Sequence, residues 1–221
     1  PCDDKKQPRA CDSNTLATIL RTMQKRNKGQ FTKLMGFPPW YMKYTTHLNN
    51  GSTAPVSLEW QFVAFITEYN FIKEADAFQP SWMTNASVYC QYDASATQYV
   101  NNDVTVTETY DDKVRYFSIY IGDYGYSAWL KNMVPGNFTG PRRGEIPLMW
   151  AFNPNLSDRV PMIFDYVYEN KTPNDFFTTG DTGAGYVFPS RLKDLDLWVD
   201  YNETYLSRFD MDIVGFIIDD R

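Results

Sequence analysis

The sequence predicts an α/β fold built from alternating β/α units, and three observations lead to this prediction. Segments with apolar residues at helical spacing alternate with short apolar runs about six times along the chain. Such alternation predicts parallel strands joined by helical crossovers. Neither a nucleotide-binding glycine fingerprint nor an internal repeat interrupts the pattern. We therefore expect one domain over residues 1–221, forming part or all of a TIM-like barrel, with an open parallel sheet as the alternative.

The amino-terminal part of the chain predicts two helices and two strands. A helix is expected over Thr15–Arg26, because its apolar residues recur every three or four positions and Asp12-Ser13-Asn14 can cap its start. Phe31–Phe37 resembles a strand that two prolines stop. Leu58–Tyr69 again has helical apolar spacing, and Ala86–Cys90 resembles a short strand.

The rest of the chain continues the alternation after a polar, threonine-rich excursion over residues 92–111. The predicted strands, which are rich in β-branched and aromatic residues, are Val114–Ile121, Ile146–Phe152, Asp175–Thr179 and Ile213–Ile218. The predicted helices, which have apolar residues at helical spacing, are Tyr126–Met133, Val160–Tyr168 and Ser190–Phe209. Six strands are fewer than a closed eight-stranded barrel needs, so we expect this domain to belong to a longer chain.

Composition narrows the classes of function. The 221 residues carry 21 Lys and Arg against 27 Asp and Glu, a net charge of −6 that disfavours nucleic acid as a partner. Because His47 is the single histidine, we expect no metal site and no cofactor, and carboxylates, Tyr and Arg must carry any catalysis. Aromatic residues make up 17% of the chain, and this excess favours rings that line a sugar-binding surface.

Acceptor motifs favour a secreted or extracellular glycoprotein, with a lysosomal or other secretory compartment as the alternative. Six Asn-X-Ser/Thr motifs occur, against roughly two expected by chance. The predicted N-glycan acceptors are Asn50, Asn85, Asn137, Asn155, Asn170 and Asn202. No apolar run approaches about 18 residues, so no membrane span is predicted.

The three cysteines also bear on the cellular compartment of the protein. Cys2 and Cys11 flank a short polar loop, which suits a local disulfide. Cys90 is then expected to be a buried thiol or to pair with chain outside this segment. The first residues resemble an exposed loop rather than a targeting segment, and the last residues follow directly on an apolar run, so we expect further chain on both sides.

Two aspartates that follow predicted strands are the candidate catalytic pair. Parallel α/β folds place their sites at the carboxyl ends of the strands, where Asp123 and Asp181 are expected to meet. One carboxylic acid can protonate a leaving glycosidic oxygen while a second carboxylate attacks the sugar or activates water. The structural alternative is that each Asp caps a helix or orders a turn.

Further side chains at the same edge are expected to bind a saccharide, because amides and a guanidinium bind hydroxyls and rings stack on sugars. The predicted substrate-binding residues are Trp40, Trp150, Asn153, Asn155, Arg159 and Tyr186. The loop Gly183–Pro189 permits close approach to its backbone. It lacks the Lys-Ser/Thr ending of a phosphate-binding loop, which disfavours phosphate as its ligand.

The stretch Gly183-Ala-Gly-Tyr-Val-Phe-Pro189 resembles the motif that names the GxGYxYP family of putative glycoside hydrolases, with Phe188 in place of a Tyr. The resemblance extends over roughly residues 13–218. Further similar segments are Gly36–Trp40 with Lys43-Tyr44, Asn85-Ala-Ser87, Gly122-Asp-Tyr124 with Ala128-Trp129, Trp150–Asn155 with Arg159-Val-Pro161, and Asn174-Asp-Phe176 with Gly180-Asp181. The resemblance implies a barrel-like C-terminal domain that acts on glycans and is completed by an N-terminal domain. Gly125 and Tyr126 stand where the family pattern has a second Asp.

Two main hypotheses on function follow. The first is a secreted glycoside hydrolase or related carbohydrate-active domain that uses paired carboxylates. The second is a catalytically inactive extracellular glycoprotein with a structural or glycan-binding role in a larger assembly, which the change at Gly125 favours. The expected partners are carbohydrate, N-linked glycans, the N-terminal part of the same protein, and other copies in a homo-oligomer or filament. A third hypothesis, a phosphate-binding enzyme, predicts an anion at residues 180–186.

Overall fold

The chain forms two compact units, which are described separately. The computed structural model describes residues 11–35, 59–74, 83–103 and 109–215. The first unit comprises Pro1–Phe78, Tyr186–Trp198 and Ile218–Arg221, and the second comprises Gln79–Gly185 and Val199–Ile217. The predicted single domain over the whole chain stays a prediction.

The first unit contains a β-α-β arrangement that follows a helix. Its elements are α1 (Cys11–Arg26), β1 (Thr32–Met35), α2 (Glu59–Thr67), β2 (Phe71–Glu74) and a 3-10 helix at Pro189–Arg191. Strands β1 and β2 pair in parallel, with Thr32 opposite Phe71. Leu20, Ile66 and Phe71 form the apolar core of this unit because helix and strand each bury one face there.

The second unit is organised around three parallel strands. Its elements are α3 (Ala86–Tyr89), β3 (Tyr120–Tyr124), α4 (Ser127–Phe138), β4 (Leu148–Phe152), a 3-10 helix at Pro154–Asp158, α5 (Pro161–Glu169), β5 (Asp175–Thr178) and the larger part of α6 (Leu195–Phe209). The strand order is β3-β4-β5. Helices α4 and α5 are the crossovers between these strands, as parallel pairing requires.

The core of the second unit absorbs much of the aromatic excess. Phe152 and Phe177, on neighbouring strands, lie 5.7 Å apart between ring centroids, and Phe164 of α5 packs 4.7 Å from Phe209 of α6. These rings are buried, since they supply the apolar area that joins helices to the sheet. The inference that the excess lines a surface is therefore wrong for these residues.

The carboxylate of Asp175, at the amino end of β5, is buried and fully partnered. It forms an ion pair with Arg143, accepts a hydrogen bond from Trp150 Nε1 at 2.8 Å, and accepts two from the backbone N–H and hydroxyl of Thr172 at 2.7 Å each. The Arg143 guanidinium also lies 3.9 Å from the ring centroid of Phe138. A buried charge is tolerated only when it is paired in this way, so the cluster fixes the amino edge of the sheet.

Among the described residues, polar side chains and not another strand cover the outer edge of β5. The carboxamide of Asn101 donates to the carbonyl of Phe177 at 2.8 Å and accepts from its N–H at 3.0 Å. Asn102 Nδ2 donates to the carbonyl of Asp175 at 2.7 Å, and the N–H of Thr179 donates to the carbonyl of Ile213 at 3.1 Å. Backbone N–H and C=O groups along β5 and at Thr179 are therefore hydrogen-bonded. These bonds protect a strand edge whose backbone groups would otherwise be unpaired.

A buried carboxylate also anchors the segment that carries Asn101. Tyr99 donates its hydroxyl to Asp165 Oδ1 at 2.5 Å, and the N–H of Ser95 donates to Oδ2 at 2.7 Å. Burial works against ionisation of Asp165, but the hydrogen bonds from Tyr99 and Ser95 outweigh it and hold the pKa of Asp165 below its ordinary value. Burial, followed by the bond to Asp165, raises the pKa of Tyr99 well above its ordinary value.

Several predicted elements differ from the structure. The strand over Ala86–Cys90 is wrong, because these residues form helix α3 after Asn85, whose φ is 68°. The strand predicted from Val114 begins only at Tyr120, and residues 114–119 are exposed. Residues 213–215 form no strand, and 216–218 lie outside the described residues. Strand β2 was not predicted.

The sheets formed by the described residues distinguish between the two predicted architectures, a TIM-like barrel and an open parallel sheet. They are open, with two and three parallel strands, and the described residues form no closed barrel. The mixed α/β class is confirmed, and the open parallel sheet, which was the alternative, fits the structure.

Candidate functional site

The carboxyl edge of the sheet β3-β4-β5 brings together two of the predicted site residues. Asn153 directly follows β4, and Asp181 follows β5 by three positions. Asn153 Nδ2 donates to Asp181 Oδ2 at 2.5 Å. Because parallel α/β proteins bind ligands at this edge, the pair is the starting point of the candidate site.

The Asp181 carboxylate lies against a glycine that gives it room. A Cβ atom at Gly125 would stand 2.6 Å from Asp181 Oδ2, closer than side chains approach. Asp181 is half-buried, and its φ of 25° lies in the left-handed region that disfavours residues other than glycine. Backbone strain of this kind persists where the surroundings impose it and is concentrated at functional sites.

Asn153 offers one further hydrogen-bonding atom. The residue is 1% exposed, and its Oδ1 is buried without a hydrogen-bond partner among the described residues. The bare Cα of Gly180 lies beside this oxygen, since a Cβ there would overlap it. Leaving a buried acceptor unsatisfied costs free energy, so an acceptor retained at this edge is suited to a ligand hydroxyl.

The other predicted catalytic residue, Asp123, lies in β3, where the register against β4 shifts between Ile121 and Tyr124. Its side chain falls outside the described part of the structure. The predicted separation of the Asp123 and Asp181 carboxyl groups across a cleft stays a prediction.

The glycines of the loop at 183–185 serve packing in the second unit. Asn202 Oδ1 accepts a hydrogen bond from the Ala184 N–H at 2.7 Å. Gly183 has a φ of 89°, and a Cβ there would overlap the Asn202 carboxamide. The close approach that Gly183 permits is therefore filled by the Asn202 side chain.

Two predicted substrate-binding residues are corrected. Trp150 is buried between Phe138 and Phe152 with its indole N–H on Asp175, so its ring is core rather than a stacking surface. Asn155 is buried in the 3-10 helix after β4, and its role in substrate binding stays a prediction. Tyr186 is buried in the first unit, where its backbone pairs with Lys73. Arg159 is half-buried at the end of that 3-10 helix, and Trp40 lies outside the described residues.

Burial also sorts the predicted glycan acceptors. Asn155 and Asn202 are buried, so neither can accept a glycan in this fold, and both predictions are corrected. Asn85, Asn137 and Asn170 are exposed. Asn50 lies outside the described residues.

The cysteines test one prediction. Cys90 is exposed at the end of α3, which corrects the expected buried thiol; its Sγ contacts the carbonyl of Ser87 at 3.4 Å. Cys2 and the side chain of Cys11 lie outside the described residues, so their disulfide stays a prediction.

Sequence reasoning missed two charged residues at the carboxyl end of β2 in the first unit. Lys73 and Glu74 are both buried; Lys73 Nζ donates to the carbonyl of Glu74 at 2.9 Å, and Lys33 Nζ lies 3.5 Å from Glu74 Oε1. A four-residue strand that is half charged gives no apolar pattern. The one available signal for this strand is the apolar pair Phe71-Ile72, which follows a predicted helix and is followed by the two charged residues.

The described stretches hold neither a cluster of metal ligands nor a helix that could span a membrane. No group of three or more His, Cys, Asp or Glu side chains is placed to hold a metal ion in residues 11–35, 59–74, 83–103 and 109–215. Across the same stretches, every helix is too short or too polar to cross a membrane.

One family model matches the carboxyl-terminal part of the chain. Residues 113–221 match the model of the GxGYxYP putative glycoside hydrolase C-terminal domain. The resemblance drawn from the motifs is confirmed over these residues, whereas the similar segments at 36–44 and 85–87 precede them. No curated protein matches the chain.

A solved structure shares the fold. It is a putative hydrolase from Bacteroides thetaiotaomicron VPI-5482, 18% identical, with a TM-score of 0.69 over 95% of this chain. The chain spans 36% of the length of that structure. At this identity the match shows a common fold and leaves activity to be argued from the site.

Proposed function

We propose that this chain, whose residues 113–221 carry the GxGYxYP C-terminal domain sequence, is a carbohydrate-active domain that hydrolyses glycosidic bonds. One observation carries the proposal. The half-buried Asp181 carboxylate stands at the carboxyl edge of a parallel sheet, held by Asn153 at 2.5 Å and facing the bare Cα of Gly125. A fixed, partly accessible carboxylate at this edge is what glycosidic cleavage requires of its base or nucleophile.

The contacts of Asp181 suggest its role within a carboxylate pair. The Asn153 amide donates to Asp181 Oδ2 and orients the carboxylate, which is the proposed nucleophile or general base. Asp123, near the carboxyl end of β3 and two strands away from β5, is then the proposed acid that protonates the leaving oxygen. Carboxyl groups roughly 5 Å apart would retain the anomeric configuration, and roughly 6.5–9.5 Å would invert it.

Polar side chains near this edge are the proposed partners of substrate hydroxyls. Asn153 Oδ1 is the proposed acceptor, because it is buried without a partner among the described residues. Half-buried Arg159 is the proposed donor. Trp40 remains a proposed stacking residue.

Turnover of defined saccharides tests the proposal. The full chain is incubated with a panel of 4-nitrophenyl glycosides and polysaccharides, and released sugar is quantified. Asp181→Asn should lower turnover by about 10³-fold without unfolding the protein, because loss of a general base or nucleophile costs this much. Asp200→Asn, which changes an exposed carboxylate on α6, is the matched control and should leave turnover unchanged.

Gly125 favours a second candidate, a catalytically inactive glycan-binding domain. The family resemblance implies a second Asp where this chain has Gly125 and Tyr126, and the Asp181 carboxylate lies against Gly125. A domain of this kind would bind oligosaccharide through Asn153 and Asp181 without cleaving it. Binding without turnover, weakened in Asp181→Asn, would favour this candidate over the hydrolase.

We further propose that the protein passes through a secretory route, either to the extracellular space or to a lysosome-like compartment. Asn85, Asn137 and Asn170 support this, since all three acceptor motifs are exposed. Protein from its native source should lose mass on treatment with a peptide-N-glycosidase. An unchanged mass would contradict secretion through a glycosylating route.

The proposed protein partners are an N-terminal part of the same protein, which would complete a TIM-like barrel, and other copies in an oligomer or filament. The solved neighbour supports the first, because this chain spans 36% of its length. Light scattering of the natural full-length product would give its mass and its oligomeric state.

A further inference from the structure

A run of exposed residues precedes β3 and includes two tyrosines held side by side. Residues 109–120 are all exposed. Within them, Tyr110 is 78% and Tyr116 is 56% exposed, and their rings lie 5.6 Å apart between centroids at an interplanar angle of 22°. Exposed aromatic rings cost free energy in water, so a near-parallel pair on the surface calls for a ligand.

A tight turn builds this pair. The N–H of Asp111 donates to the Tyr116 hydroxyl oxygen at 2.9 Å, and the N–H of Lys113 donates to Asp111 Oδ1 at 2.9 Å. The backbone N–H of Val114 closes the turn on the carbonyl of Asp111 at 3.1 Å. The turn fixes the Tyr116 ring beside Tyr110, so binding on the outer ring faces would cost little ordering entropy.

The surroundings of the pair decide which ligand suits it. Asp111, Asp112, Lys113 and Arg115 are exposed around the rings, and their formal charges cancel. A balanced set of charges disfavours a polyanion or a polycation and suits a neutral ligand rich in hydroxyl groups. Two tyrosine side chains supply about 300–500 Å² of surface, below the roughly 800 Å² per partner of a stable protein interface.

We propose that the Tyr110–Tyr116 pair is a second saccharide-binding site, which takes neutral sugar residues on its ring faces. The C–H bonds on the apolar face of a pyranose meet the negative face of the ring, while Asp111 and the Tyr110 hydroxyl bind its hydroxyls. The choice of sugar as the ligand class rests on the proposed function. The location is independent of it, because the pair lies in the segment that precedes β3, whereas Asn153 and Asp181 follow β4 and β5.

The test measures binding of neutral hexasaccharides to the full chain by titration calorimetry and saturation-transfer NMR. The probes are cellohexaose, xylohexaose, maltohexaose and chitohexaose at millimolar concentration. Tyr110→Ala and Tyr116→Ala should each weaken binding of at least one probe by about fivefold to tenfold, and the double variant should abolish it at this site. Tyr116→Phe keeps the ring but loses the bond from Asp111, and should fall between these results.

Matched variants separate the outcomes. Phe117→Ala removes a neighbouring ring that is 89% exposed and should leave binding unchanged. Asp181→Asn should abolish turnover while binding at the tyrosine pair persists, so failure of one proposal does not imply failure of the other. Binding that is lost in Asp181→Asn but kept in the double tyrosine variant would overturn this second site. Absence of binding to all four probes, or a dimer that Tyr110→Ala dissociates, would also overturn it.

Discussion

Two aspartates six positions apart, at opposite ends of β5, experience opposite environments. Asp175 is buried at the amino end, where Arg143, Trp150 and Thr172 satisfy it. Asp181 lies beyond the carboxyl end, half-buried, in a strained backbone conformation and beside the bare Cα of Gly125. The comparison teaches that burial with a full set of partners marks a structural carboxylate, whereas incomplete burial and strain mark a candidate for chemistry.

The largest expected effect is on stability and comes from Asp175. Asp175→Ala removes the partner of a largely buried guanidinium and leaves the Trp150 N–H unpaired, so the free energy of unfolding should fall by about 3–5 kcal/mol. Urea unfolding followed by fluorescence measures this. Asp181→Asn in the same assay should change stability by less than about 1 kcal/mol. Equal losses of unfolding free energy in the two variants would contradict the view that Asp175 is structural and Asp181 is not.

The next largest effect should come from Asn101, which protects the edge of the strand that joins the two aspartates. Asn101→Ala loses two hydrogen bonds to the backbone of Phe177 and should cost about 2–3 kcal/mol of unfolding free energy. Asn170→Ala, whose exposed side chain bonds only to a carbonyl of its own helix, is the control and should cost about 0.5 kcal/mol or less. Equal costs would indicate that the carboxamide does not replace a strand.

A smaller effect concerns pH, because Asp165 is a second structural carboxylate. Its pKa is lowered in the folded state, so its contribution is present above the pKa of the unfolded chain and is lost as pH falls through the folded value. Asp165→Asn should therefore flatten the decline of unfolding free energy below about pH 4. Glu169→Gln, an exposed neighbour on the same helix, is the control. Parallel pH profiles for wild type and Asp165→Asn would contradict the assignment.

Tyr99 should affect the unfolding free energy at high pH, whereas Asp165 affects it at low pH. Its folded pKa is raised, so its contribution is present below the unfolded value and is lost as pH rises above about 10. Tyr99→Phe should reduce the loss of stability at high pH, measured by urea unfolding at several pH values. A decline as steep as that of wild type would show that other groups cause it.

The smallest effect on stability, with a large one on activity, should come from Gly125. A Cβ at this position would displace the Asp181 carboxylate, so Gly125→Ala should lower turnover at least about tenfold. Stability should fall by less than about 1 kcal/mol, because the atom that must move ends a side chain. Gly136→Ala, on α4 with nothing within 4 Å of the added Cβ, is the matched control and should stabilise by about 0.5–1 kcal/mol. Wild-type turnover in Gly125→Ala would contradict the proposed role of Asp181 as nucleophile or general base.

The sequence predicts most of the helices and the central strands because their apolar patterns are long. The segments at 86–90 and 114–119 were misassigned, since short runs rich in β-branched and aromatic residues fit a strand whether or not the fold buries them. Asp181 and Asn153 were found because parallel topology alone places them at one edge. The roles of Trp150 and Asn202 could not be found this way, because burial by distant segments leaves no local signal.

The most direct test of whether Asp181 is functional and Asp175 structural compares Asp181→Asn with Asp175→Asn. Turnover per folded molecule and unfolding free energy are measured for both variants. We expect Asp181→Asn to keep near wild-type stability and to lose about 10³-fold in turnover, whereas Asp175→Asn should lose stability and retain turnover in its folded fraction. Wild-type turnover in Asp181→Asn would contradict the account.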